Sequence, residues 1–114
     1  MIRATNQLTE KERKAAKALI ASCQAYDQTF REPYLSNILN FDPNMPAFFL
    51  YYQEGELLGL LTVYADDHDV EVAILVAPDY RRKGIARSLF DKFQKETAPY
   101  PIRSVTFQTE RVFL

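Results

Sequence analysis

Residues 70–93 run Val70-Glu71-Val72-Ala73-Ile74-Leu75-Val76-Ala77-Pro78-Asp79-Tyr80-Arg81-Arg82-Lys83-Gly84-Ile85-Ala86-Arg87-Ser88-Leu89-Phe90-Asp91-Lys92-Phe93. Val70 to Ala77 is apolar apart from Glu71 and rich in β-branched side chains, the pattern of a buried central strand. Pro78 cannot donate to a strand ladder, so the strand should end there. Asp79 and Tyr80 turn the chain. Gly84 then opens a helix, whose apolar positions Ile85, Leu89, Phe90 and Phe93 fall at helical spacing. Three cations, Arg81, Arg82 and Lys83, stand just before that helix, and Arg87 lies one turn inside it.

A helix N-terminus carries partial positive charge and unpaired N–H groups, so cations there are mildly unfavourable for stability. A bound anion reverses the sign, because amides, dipole and basic side chains would all point at it. Gly84 lets backbone come close, and Ala86 keeps the next turn small. The loop is therefore suited to a phosphate or pyrophosphate; the alternative is a solvated basic turn. The glycine patterns G-x-G-x-x-G and G-K-S/T are both missing, which excludes the usual dinucleotide fingerprint and the P-loop.

Arg81-Arg82-Lys83-Gly84-Ile85-Ala86 matches Q/R-x-x-G-x-G/A, and Val76-Ala77-Pro78-Asp79-Tyr80 supplies the lead-in V-x-P-x-Y/W before the arginine. Strand, loop and helix together resemble the acetyl-CoA signature of the GNAT N-acetyltransferase superfamily. The resemblance implies an α/β (α+β) fold: a mixed, mainly antiparallel sheet with flanking helices. It covers nearly the whole chain, read as a single, C-terminally shortened acyl-CoA-binding domain over residues 1–114. The family's last helix and strands, which usually carry the Tyr that protonates the leaving thiolate, have no counterpart before Leu114. The chain therefore reads as the N-terminal portion of such a domain or as a shortened member, with its general acid expected beyond Leu114.

Composition sets the outer bounds. The chain has 114 residues, 47% of them hydrophobic, enough for one core. A formal net charge of -1 argues against general nucleic-acid binding. The single cysteine excludes an internal disulfide and fits a reducing, cytoplasmic setting. No N-terminal signal pattern and no membrane-length apolar run is present.

Thr9-Glu10-Lys11-Glu12 has capping-box spacing, so a helix should start near Glu10. Ala15, Ala16, Leu19, Ile20, Cys23 and Tyr26 line its apolar face, and Cys23 reads as a buried thiol. A second helix is expected within 30–40, with Leu35, Ile38 and Leu39 on its apolar side. Tyr26, Phe30, Tyr34 and Phe41 are candidates for an aromatic wall at the acceptor site that the resemblance implies. Ala47–Gln53 and Leu57–Tyr64 read as strands joined at Glu54-Gly55-Glu56, and Met1–Thr5 as a fragment of a first strand. His68 lies among Asp66, Asp67 and Asp69; a solvated turn is the plainer reading than a metal site, since one His and loose acids lack fixed ligand geometry. Arg103–Thr109 reads as a fifth strand.

The resemblance implies these roles. Backbone N–H groups from Arg82 through Lys83, Gly84 and Ile85 to Ala86 would cradle the coenzyme pyrophosphate. Arg81, Arg82, Lys83 and Arg87 are candidate charge partners. Ile74 to Val76 would pair with the pantetheine arm, and an N–H near Leu75 or Val76 would polarise the thioester. No metal is implied. Glu71 is the candidate general base, because burial in an apolar strand would raise its pKa toward neutrality. An outward-facing Glu71 at a sheet edge is the alternative. The implied function is acetyl transfer to a primary amine; a catalytically inert acyl-CoA-binding module and a protein-interaction domain are the rivals.

An unpaired edge at Arg103–Thr109, with Val105 and Phe107 short of packing and an apolar Val112-Phe113-Leu114 tail, invites strand addition and so a homodimer. Light scattering tests this: mass should rise with concentration, and a strictly monomeric mass through the micromolar range refutes it.

Overall fold

A computed structural model describes residues 1–29, 33 and 35–107. Five strands, β1 (Ile2–Thr5), β2 (Phe48–Gln53), β3 (Glu56–Tyr64), β4 (Asp69–Val76) and β5 (Ser104–Phe107), form one sheet in that spatial order. The first three junctions are antiparallel and β4–β5 is parallel. Between β1 and β2 comes helix α1 (Glu10–Asp27); between β4 and β5 comes α2 (Ile85–Thr97). The expected mixed, mainly antiparallel α+β architecture is what the chain adopts.

Local chemistry accounts for most of the boundaries. Thr9 Oγ1 accepts the Glu12 N–H at 3.1 Å, and Glu12 Oε1 accepts the Thr9 N–H at 2.9 Å, completing the capping box. Glu12 also pairs with Arg3, which ties α1 to β1. Burial pushes the Glu12 carboxyl up, but its bonds from Thr9 and Arg3 outweigh that and leave it below the ordinary value. Glu54 (φ 52°) and Gly55 (φ 79°) are both left-handed, as a two-residue type I′ hairpin turn requires. Pro78 opens a single 3-10 turn, Pro78–Tyr80, directly after β4.

Residues opposed across the sheet share a face, so the register sorts the side chains. Leu50, Leu60 and Leu75 share a face with Arg3, whose ion pair with Glu12 marks it as the α1 side. Phe49, Leu61 and Ile74 share the other, where Phe49 packs edge-on against Phe93 of α2. With a helix on each face, β3 is buried from Leu57 through Val63. A Cβ at Gly59 would lie 2.7 Å from Ile85 Cγ2 and 3.0 Å from Leu89 Cδ1, so only glycine lets α2 come this close.

Three expectations need correction. Among the described residues of 30–40 there is no helix. Side chains there bond to backbone instead: Ser36 Oγ accepts the Ile38 N–H, and Asn40 bonds the Val63 C=O and the Ala65 N–H. Ile38 is 83% exposed, so it offers no buried face. Tyr26 does not join the core; it is 68% exposed and lies against Arg81, at 5.4 Å from guanidinium carbon to ring centre. The aromatic wall does not assemble among the described residues. Tyr26 sits by Arg81, just after the end of β4, whereas Phe41 lies tilted against His68 before its start. Phe30 and Tyr34 lie outside the described residues, as do 108–114.

The parallel β4–β5 junction is clamped at its start. Arg103 bonds both carboxylate oxygens of Asp69, and Ser104 Oγ donates to Asp69 Oδ1 at 2.7 Å. His68 Nδ1 donates to the Pro101 C=O at 2.7 Å. The Arg103 guanidinium and Ser104 hydroxyl beside Asp69 bring its carboxyl down from 3.8 to about 2. A depressed folded value makes the clamp's stabilisation complete above the unfolded value and lost as pH falls through about 2. Carboxyl-carbon NMR should therefore place the Asp69 titration near 2, and Arg103→Gln should return it toward the ordinary range. Wild-type titration near 4, roughly the unperturbed value, would contradict the clamp.

Candidate functional site

The strand β4 outruns its parallel neighbour. Pairing with β5 reaches Val72 opposite Phe107, and among the described residues nothing continues it along Ala73 to Val76. The Val76 C=O accepts instead from Cys23 Sγ at 3.4 Å and Arg81 Nε at 3.0 Å. Beyond Val76 the 3-10 turn swings the chain away, and α2 begins at Ile85. The angle between strand edge and helix start leaves a cleft of about 420 Å³.

Gly84 is the N-cap of α2, at φ 84°, and has no side chain with which to cap it. The first turn of the helix ladder is Ser88 N–H to Gly84 C=O at 3.0 Å. The N–H groups of Ile85, Ala86 and Arg87 therefore precede the ladder and have no intrahelical acceptor. No acidic side chain stands in that first turn. A Cβ at Gly84 would meet nothing within 4 Å, so the space beside this residue is open. Arg82 is also left-handed, at φ 63°, a conformation that costs a non-glycine residue on the order of 1 kcal/mol. Successive backbone N–H groups in a turn of this kind can form a concave anion seat.

The cations divide by their partners. Arg82 and Arg87 are exposed and make no hydrogen bond or ion pair among the described residues. Lys83 is exposed, with its ammonium 5.5 Å from the Tyr80 ring centre. Arg81 is taken up by protein: Nη1 and Nη2 bond Asp27 Oδ1 and Oδ2 at 2.6 and 2.7 Å. That pair holds the Asp27 carboxyl below its ordinary value and raises the Arg81 guanidinium further above its own.

Of the sequence candidates, Leu75, Val76, Arg81, Arg82, Gly84, Ile85, Ala86 and Arg87 line the one cleft; Lys83 and Glu71 do not. Glu71 faces the α1 side of the sheet, opposite Tyr64, and is exposed, which corrects the expected burial. It lies three residues before Ile74, about 10 Å along the strand. The acidic turn around His68 is at the far end of β4, and Asp69 is held there by Arg103. Among the described residues no three His, Cys, Asp or Glu side chains gather as a metal site, and no helix is long and apolar enough to cross a membrane. Burial raises the Cys23 thiol above its ordinary value, which does not suit a nucleophile.

Sequence reasoning missed Asp27. Its signal was an acid on the last residue of a helix, the end that disfavours anions. Gly59 was missed as well; a glycine inside an apolar strand marks a close approach.

A family model described as acetyltransferase (GNAT) family matches residues 10–109. No curated protein sequence matches the chain. Among solved structures, the ribosomal-protein-alanine N-acetyltransferase of Brucella melitensis biovar Abortus 2308 superposes with a TM-score of 0.68 at 23% identity, over 98% of this chain and 81% of that one. Diaminobutyrate acetyltransferase EctA of Paenibacillus lautus, solved with L-2,4-diaminobutyric acid and coenzyme A, gives 0.63 at 16%, over 96% and 64%. The ribosomal-protein-S18-alanine N-acetyltransferase of Escherichia coli gives 0.63 at 17%, over 94% of this chain and 64% of its own. The chain thus spans less than two thirds of the length of the last two.

Proposed function

The chain belongs to the acetyltransferase (GNAT) family, and on that premise we propose that it binds acetyl-CoA at the start of α2 and transfers the acetyl group to a primary amine. One observation carries the reading: three helix-start N–H groups have no intrahelical acceptor and stand beside two exposed arginines that have no partner among the described residues. A helix N-terminus so equipped favours phosphate through amides, dipole and side chains together. The residues fit a pyrophosphate, since the cleft is lined by the uncapped start of α2 together with Arg82 and Arg87. Arg82 and Arg87 are the charge partners on this reading, and Lys83 a third cation held near Tyr80. A reducing, cytoplasmic setting suits a chain with one buried thiol.

Acetyl-CoA supplies an acyl group already activated as a thioester, so holding and orienting it account for much of the rate. The edge of β4 from Ile74 to Val76 would receive the amide-bearing arm as an added strand. In an antiparallel ladder one residue's N–H and C=O leave on the same edge. The Val76 C=O is given to Cys23 and Arg81 rather than to β3, so its N–H is directed to the same open edge and would donate to the acyl oxygen. Glu71 is the base on this reading. It shares its strand face with Leu75, which lines the cleft, and its carboxylate has no partner among the described residues. It would take the ammonium proton directly or through water.

Calorimetry with coenzyme A tests the seat. Gly84→Val forces a β-branched residue into left-handed backbone and fills the open space, so Kd should rise at least about tenfold, roughly 1.4 kcal/mol. Lys11→Gln on the outer face of α1 should leave it unchanged. Equal affinity of wild type and Gly84→Val would sink the assignment. For the base, Glu71→Gln should keep coenzyme affinity and slow acetylation at neutral pH by about 100-fold. The deficit should shrink at high pH, where the amine is already deprotonated. A thiol-release assay over an amine panel reads this; an unchanged rate with a good acceptor removes Glu71 from the mechanism.

A further inference from the structure

Asp27 and Arg81 each occupy a place that their own helix disfavours. Asp27 is the last residue of α1, where carbonyls carry partial negative charge and no basic side chain stands nearby in the turn. Arg81 comes shortly before α2, at the positive end of that helix. The two misplacements meet across 54 residues of sequence and neutralise each other.

The contact is built on every side of the guanidinium. Its two terminal nitrogens grip both Asp27 oxygens, at 2.6 and 2.7 Å. Its Nε donates to the Val76 C=O at 3.0 Å, and Tyr26 of α1 lies against its face. Cys23 of α1 donates to the same carbonyl. The end of α1, the end of β4 and the loop before α2 are thus joined at one point. Lysine has no planar fork and could not reproduce this. The next residue is Arg82, in strained left-handed backbone, and such strain persists only where its flanks are held. Asp27 also lines the cleft itself.

We propose that Asp27 is a positioning residue for the coenzyme site: through Arg81 it latches the end of α1 to the loop and fixes the amides that face the cleft. The proposal rests on the acetyl-CoA reading, but its first readout needs no ligand. It makes a prediction opposite in sign to simple charge. Asp27 is an anion beside a seat for phosphates, so charge alone says that removing it tightens binding. The latch says that removing it loosens the loop and weakens binding.

The experiment compares the full chain with Asp27→Asn, a neutral isostere, and Asp27→Glu, which keeps the carboxylate. Melting transitions confirm that each is folded. Hydrogen exchange without ligand should be faster in Asp27→Asn at the bonded amides that flank the loop, Tyr80 to the Ala77 C=O and Ser88 to the Gly84 C=O, and unchanged in β2 and β3. The Kd for coenzyme A by calorimetry should rise on the order of tenfold, as expected for losing a bidentate charge-assisted pair, and Asp27→Glu should recover most of it. Unchanged loop exchange overturns the latch. So does coenzyme affinity in Asp27→Asn equal to or tighter than wild type. If wild type binds no coenzyme A, the acetyl-CoA reading fails instead, and loop exchange alone still decides the latch.

Discussion

Ile85 sits where a side chain at position 59 would be. The space left by Gly59 on β3 is filled by Ile85 Cγ2 and Leu89 Cδ1, at 2.7 and 3.0 Å from where a Cβ would stand. This contact fixes how close the first turn of α2 lies to the sheet, and so where its unpaired N–H groups are. Overpacking such a contact typically costs about 1–3 kcal/mol, because protein interiors do not deform smoothly. The cleft owes its shape to two further facts. Among the described residues β5 pairs with β4 only as far as Val72, and Gly84 adds no side chain at the helix start.

A helix start without a cap is a local deficit in stability. Ser, Thr, Asp or Asn at that position would contribute on the order of 1 kcal/mol, and α2 has none of them there. Cations around the same end add to the deficit. The fold offsets one of them internally, by pairing Arg81 with Asp27, and leaves Arg82 and Arg87 exposed. Stability elsewhere comes from ordinary sources: a sheet covered on both faces, a complete capping box on α1 and an ionic clamp at the β4–β5 junction. The left-handed backbone of Arg82 and the uncapped N–H groups of α2 thus meet in one loop.

What the sequence disclosed and what it hid divide by range. The capping box at Thr9, the turn at Glu54-Gly55, the stop at Pro78 and the opening of α2 at Gly84 are decided within a few residues, and each was legible. The exposure of Glu71 was not, because it depends on how far α1 reaches along the sheet and on where β5 docks. The pairing of Arg81 with Asp27 was not, because nothing local links residues 54 apart. The helix expected within 30–40 failed where its residues are described. Its spacing was apolar enough, but Ser36 and Asn40 use their side chains on nearby backbone and on the end of β3.

Coenzyme binding at this site requires that the amides at the start of α2 be the seat of the phosphorylated ligand. Backbone NMR of the labelled chain titrated with coenzyme A tests that directly. The largest shift changes should fall on the amides of Arg82 through Arg87, with a second set at Ile74 to Val76. Saturable changes confined to other residues, with these two segments unmoved, would contradict it.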